Sequence, residues 1–173
     1  MKNNNFMFDT NIFDRVLDGK IDVSKIKNSK TIFVTHIQLD ELNAVPDLNR
    51  KGKLLKIFQQ VVNSKVPTES MVWDVSKWGE GKWSSETQLT PTEAFLLGVS
   101  RLDKAKLGKA DIYSLIKAEL DKLKAKPNNI KDALLAETSV KNDYVLVSDD
   151  KNLRKVIKKI GGNVLTFKEF QQL

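Results

Sequence analysis

Acidic residues at four places along the chain stand beside short apolar runs in a way that suits hydrolytic chemistry. Asp9 follows Asn5–Phe8 (NFMF), and Glu41 lies about one turn beyond Thr31–Thr35 (TIFVT). Asp149 and Asp150 follow Tyr144–Ser148 (YVLVS), and Asp132 opens the helical stretch that feeds that run. Carboxylates brought together repel and raise each other's pKa unless a cation neutralises them. Oxygen donors favour a hard cation, Mg²⁺ or Mn²⁺. One or two such ions activate water and stabilise in-line displacement at a phosphodiester. Other chemistries lack their parts. The chain has no cysteine, which removes thiol catalysis, thiolate zinc sites and disulfides, and its single histidine, His36, reads as structural. Neither GxGxxG nor GxxxxGK[ST] occurs.

Taken singly, each acid has a plainer reading. Asp9 and Asp132 suit helix N-caps, Asp150 suits the cap of a helix beginning at Asn152, and Glu41 suits a solvated helix face. Capping does not explain why all four should meet at one edge, and the order of elements predicts that they do.

Those elements alternate. NFMF reads as a buried strand, and the helix after it runs to Gly19. TIFVT is a second strand, followed by a short helix over HIQLDELNAV and another over Asn49–Val62. Residues 70–89 hold all three tryptophans, Trp73, Trp78 and Trp83, and turn at Gly79–Gly81, the pattern of a hairpin. Thr90-Pro-Thr-Glu93 is a capping box that starts a helical stretch, interrupted near Gly108 and amphipathic over Ile112–Leu123. Helix Asp132–Lys141, strand Tyr144–Val147, helix Asn152–Ile160, strand NVLTF and a short terminal helix complete the chain. This alternation predicts an α/β fold: a three-layer α/β/α domain around a central, mainly parallel sheet. In such a sheet ligands collect beyond the carboxyl ends of the strands. Helix Asp132–Lys141 runs antiparallel to the strand it feeds, which brings Asp132 to that same edge.

At 173 residues the chain fits one domain, with an insert at about 65–128 carrying the hairpin and helices. No apolar run is long enough for a bilayer and the first residues carry no export signal, so the cytoplasm is the expected location and no membrane partner is expected. The net charge of +7 favours an anionic partner such as nucleic acid. Basic residues outnumber acidic ones nine to four between Arg101 and Lys131, and Lys151–Lys159 adds five with no acid. Lys151, Arg154 and Lys155, immediately after the last acids, are the candidate phosphate contacts. The tryptophans of the insert read first as core and lid packing, and second as stacking surfaces for single-stranded RNA.

At these residues the chain resembles the PIN-domain family, the fold of VapC-type toxins and related ribonucleases. FMFDTNIF resembles the family's apolar strand and Asp-Thr/Ser-Asn. VTHIQLDELN resembles the second strand leading to a helix with Glu-Leu, and KDALLAETSVKNDYVLVSDDKNL resembles the helix–strand unit with the third and fourth acids. NVLTFKEF resembles the closing strand and helix. The resemblance covers about residues 5–62 and 130–173. It implies a Mg²⁺- or Mn²⁺-dependent endoribonuclease acting on single-stranded or structured RNA, a toxin with an antitoxin protein as partner, and a homodimer. Some members of such families lose their acids and keep only RNA binding or scaffolding, and that is the alternative function. Asp9, Glu41, Asp132 and Asp150 would be the catalytic and metal-binding carboxylates, with Asp149 as a neighbouring metal-site acid. Asp150 takes the fourth position because it stands two residues after Ser148. Asn11 and Ser148 would orient the acids by hydrogen bonds. Two departures stand out: Asn152 replaces a further acid of many members, and the insert exceeds the compact toxin pattern.

Overall fold

A computed structural model describes residues 4–19, 21–27, 30–72, 75, 81 and 112–173. The tryptophans of the expected hairpin, the capping box at Thr90 and the break near Gly108 lie outside these residues. In chain order the elements are β1 (Asn5–Phe8), α1 (Thr10–Asp18), α2 (Val23–Lys27), β2 (Thr31–Val34), α3 (His36–Asn43), α4 (Leu48–Val61) and β3 (Ser64–Lys65). They continue with α5 (Ile112–Leu123), α6 (Asn129–Lys141), β4 (Val145–Val147), α7 (Lys151–Lys159), β5 (Val164–Leu165) and α8 (Phe167–Gln171).

The five strands form one sheet in the order β3-β2-β1-β4-β5, and every pairing is parallel. The chain moves from β1 outward to β2 and β3, then crosses back to β4 on the other side of β1. The carboxyl ends of β1 and β4 therefore flank the point where strand order reverses, the place where open α/β sheets hold ligands. Phe6 pairs with Ile32 on one side and Val145 on the other, and Phe8 pairs with Val147.

Alternation along the strands divides the core between the two faces of the sheet. Phe6, Phe8, Ile32, Val34 and Val147 pack with Ile12 and Phe13 of α1, Leu54 of α4, and Phe167 and Phe170 of α8. Met7 and Leu146 point the other way, against Ile116 and Leu120 of α5, Ala133 and Ala136 of α6, and Leu153 and Ile157 of α7. Phe170 meets Phe6 and Phe8 edge to face at centroid distances of 5.0 and 5.1 Å. Both faces are covered, which explains why these strands are continuous apolar runs. No helix among the described residues is long and apolar enough to cross a membrane.

Two local readings change. The helix expected to open at Asp132 begins three residues earlier, at Asn129, so Asp132 lies in its first turn. The buried Asn129 side chain donates to Asp121 Oδ1 at 2.7 Å and to the Lys124 carbonyl at 2.9 Å, so the chain is already fixed there. Strand β3 had no apolar signal, because both of its residues are exposed. Backbone bonds hold this edge instead: Asn63 N–H donates to Ile32 O at 2.9 Å and Val66 N–H to Val34 O at 2.8 Å. The first residues of the insert are tied to α6, where Glu69 N–H donates to Thr138 Oγ1 and Ser70 Oγ to Glu137.

Candidate active site at the carboxyl edge of the sheet

Asp9 is the first residue beyond β1, and its N–H extends the ladder to Val147 O at 3.0 Å. It occupies the N-cap position of α1 but makes no side-chain capping bond, so capping does not account for it. It is 7% exposed, and its Oδ2 accepts from Asn11 Nδ2 at 2.5 Å and from Ser148 Oγ at 2.6 Å. Burial pushes its pKa up from 3.8 to about 6. The Ser148 and Thr10 hydrogen bonds pull downward, and the charges of Glu41 and Asp150 add to the rise.

Ser148 ends the β4 run and binds two acids at once. Its hydroxyl donates to Asp9 and accepts from Asp150 N–H at 3.1 Å. Asn11 bridges the same two strand ends, donating to Asp9 while its Oδ1 accepts from Asp149 N–H at 3.3 Å. Asp150 serves α7 as well. Its Oδ1 accepts from the amides of Asn152 at 2.7 Å and Leu153 at 3.0 Å, while Oδ2 faces Lys126 Nζ at 3.3 Å. Burial raises its pKa, but the Leu153 amide, Lys126 and the Asn152 amide outweigh that and leave it below the usual carboxylate value.

Asp132 approaches from α6. Its carboxyl is mostly buried and finds no hydrogen-bond donor among the described residues. Burial pushes it up to about 7, with the charges of Asp9, Asp150 and Glu41 adding and Lys126 opposing. Glu41 is held from two sides: Thr10 Oγ1 donates to Oε2 at 2.5 Å, and Lys131 Nζ lies 3.3 Å from Oε1. The four carboxylates thus lie within electrostatic reach of one another. Even so, no three His, Cys, Asp or Glu side chains among the described residues are grouped as a ready-made cation cage. Lys126 and Lys131 occupy Asp150 and Glu41 instead.

The other sequence candidates separate. Asp149 is turned aside, with Arg15 Nε 2.9 Å from Oδ2 and Phe167 N–H donating to Oδ1 at 3.1 Å. Arg154 donates to the Ser148 carbonyl at 3.0 Å, which fixes the turn carrying Ser148 rather than leaving the guanidinium free. Lys151 and Lys155 are exposed on α7. His36 is buried at the start of α3, with Nε2 3.2 Å from the Val75 carbonyl.

No family model matches the sequence, and no curated protein matches it. A chain of VapBC2 from Rickettsia felis, solved bound to a DNA fragment from its promoter, superposes with a TM-score of 0.51 at 15% identity, covering 93% of this chain and 97% of that one. The fold is PIN-like. At that identity the likeness concerns architecture alone: a five-stranded parallel sheet between helical layers.

Within this PIN-like domain some positioning residues escaped the sequence. Gln38 is fully buried; its Oε1 accepts from Thr35 N–H and Oγ1, while Nε2 donates to Phe8 O at 2.8 Å. It locks α3 onto the end of β1, one turn before Glu41 on the same helix face. The signal was present as Thr35-x-x-Gln38, a capping box that the structure completes. Thr10 was visible inside Asp-Thr-Asn but not as a contact of Glu41. Lys126 and Lys131 were hidden in a generally basic stretch.

Proposed function

We propose that the protein is a divalent-cation-dependent nuclease with RNA as substrate, and the toxin of a toxin–antitoxin pair. One observation carries the reading. A buried carboxylate, Asp9, sits where strand order reverses and does no capping work; burial raises its pKa and that of Asp132, and the charges of the neighbouring site acids add to the rise. Folding gains nothing from like charges gathered this way, so their use lies in a cation.

The donor set fits Mg²⁺ or Mn²⁺: all-oxygen, carboxylate-rich, with Asp132 uncommitted among the described residues. Asp9, Asp132, Asp150 and Glu41 would hold it. When bound, such an ion supplies Lewis acidity and an activated water at a phosphodiester. The remaining work belongs to the chain. Asn11 and Ser148 hold Asp9 ionised and fix its rotamer, and Thr10 orients Glu41. Lys151 and Lys155 offer phosphate contacts beside the acids. The VapBC2 likeness supports an antitoxin protein as partner, and a second copy of this chain is a further candidate.

The absence of a three-acid cage among the described residues favours one alternative, a PIN-like RNA-binding or scaffold protein without catalysis. Purified protein mixed with labelled single-stranded RNA and DNA, under Mn²⁺, Mg²⁺ or chelator, separates the two. Cation-dependent cutting that Asp132→Asn abolishes supports the nuclease. Intact RNA in every arm leaves the binding module.

A further inference from the structure

We infer that Lys126 and Lys131 form a phosphate-binding pair, held on Asp150 and Glu41 while the acids lack a cation and passed to RNA phosphates when a divalent cation takes the carboxylates. The inference rests on the cation-and-RNA reading of the site and adds two residues and a coupling to it.

Three features support it. Each lysine is 3.3 Å from a site acid, and the side chains are 32% and 37% exposed, so both ammonium groups lie at the mouth of the site. Ion pairs this exposed are weak and exchange easily. Lys131 does not suit its helix: it lies in the first turn of α6, where the helix dipole disfavours positive charge. The backbone that presents Lys126 is nonetheless fixed, because Asn129 N–H donates to Lys126 O at 3.1 Å and the buried Asn129 side chain ties down Lys124 O. Neighbouring lysines behave otherwise: Lys117 pairs with Asp121, and Lys122 with Glu119, away from the acids.

The physical consequence is an exchange of partners. A divalent cation on Asp150 and Glu41 satisfies those carboxylates and repels two nearby ammonium groups. A polyanion entering the same mouth offers them phosphate oxygens. Cation and RNA then strengthen each other's binding, although both lie beside the lysines.

The test uses the full chain as wild type, as Lys126→Gln/Lys131→Gln and as Lys126→Arg/Lys131→Arg. Mn²⁺ binding is measured calorimetrically without RNA. Binding of a labelled single-stranded RNA is followed by anisotropy at several salt concentrations, in chelator and in Ca²⁺. The glutamine pair should bind Mn²⁺ several-fold more tightly, having lost two competing ammonium groups. In Ca²⁺ it should bind RNA about tenfold more weakly, with the salt slope shallower by about 1.4 for two lost phosphate contacts. In chelator its RNA affinity should stay close to wild type, and the arginine pair should restore binding in Ca²⁺, which also shows that folding is intact. Wild-type affinity of the glutamine pair in Ca²⁺ overturns the inference, since the lysines would then be counter-charges only. Equal losses in chelator and Ca²⁺ overturn it too, because no transfer would occur. Failure of every protein to cut RNA sinks the nuclease reading alone, as all of these readouts are binding.

Discussion

Ser148 and Asp9, 139 positions apart in the chain, share a hydrogen bond of 2.6 Å between Oγ and Oδ2 in the buried floor of the site. The same hydroxyl accepts from Asp150 N–H, so one side chain sets the rotamer of the first acid and the backbone of the last. Ser148→Ala removes a donor from a buried carboxylate, which should cost about 1–3 kcal/mol. The loss should be larger at pH 8 than at pH 5, because the hydroxyl stabilises the ionised form of Asp9. Denaturant melts at the two pH values check this, and an equal loss at both would contradict it.

The stability of the cation-free protein should fall as pH rises. Asp9 and Asp132 have folded-state pKa values raised from 3.8 to about 6 and about 7. Raised values mean that the folded state holds protons which the unfolded chain releases. Their contribution is present below about pH 4 and is lost as pH climbs through 6 to 7. The expected drop in melting temperature between pH 5 and pH 8 is several degrees, on the scale of about 2–4 °C per kcal/mol for a chain of this size. Mn²⁺ should restore it, more at pH 8 than at pH 5. A flat pH profile in chelator would argue against the coupled acids.

Asp9→Asn keeps the volume and removes the charge. In chelator at pH 8 it should stabilise the fold by about 1–3 kcal/mol, given that a pKa shift of one unit corresponds to about 1.4 kcal/mol. It should also blunt the Mn²⁺-induced rise in melting temperature and reduce cleavage sharply. Full activity with excess chelator present would refute the cation mechanism itself.

Charge changes on α7 should divide by contact. Lys151→Glu and Lys155→Glu should weaken RNA binding across sequences and flatten its salt dependence, with little change in melting temperature. Arg154→Ala should instead also cost about 1 kcal/mol of stability, because Arg154 donates to the Ser148 carbonyl. Asp132→Asn should leave RNA affinity unchanged or slightly higher while cutting stops.

Gln38→Leu tests the link between α3 and the central strand. It leaves Phe8 O and Thr35 without their buried partner, at about 2 kcal/mol or more. It should also lower cleavage more than stability alone explains, since Glu41 rides on the same helix. Rescue by Gln38→Glu is not expected, because a carboxylate cannot donate to Phe8 O.

The sequence was most legible where one physical rule acted alone. Short continuous apolar runs revealed β1, β2 and β4, and the helical period revealed α4, α5 and α7. The candidate acids were visible because each lies at or within about one turn of the end of such a run or the start of a helix. What was hidden depended on contacts across the chain. Strand β3 has no apolar residue to betray it, and Gln38 looks like any polar helix residue until Phe8 O is beside it. The choice between Asp149 and Asp150 also needed three dimensions: Arg15 and the Phe167 amide draw Asp149 aside, and both come from distant segments. Lys126 and Lys131 were invisible among many lysines because formal charge does not say which carboxylate a flexible side chain meets.

The central strand is also the earliest in chain order among the described strands. Its neighbour β4, the Ser148 hydroxyl that holds Asp9, and the Phe170 ring packed on Phe6 and Phe8 all come from residues 145–170. A chain folded only as far as Lys141 therefore still has an open sheet edge at β1 and an Asp9 without its Ser148 hydrogen bond. Closure depends on contacts of very long sequence separation, the kind that form late. The carboxyl-edge site therefore stays incomplete until residues 145–170 have joined β1. On the nuclease reading, cutting would have to wait for that long-range closure of the sheet.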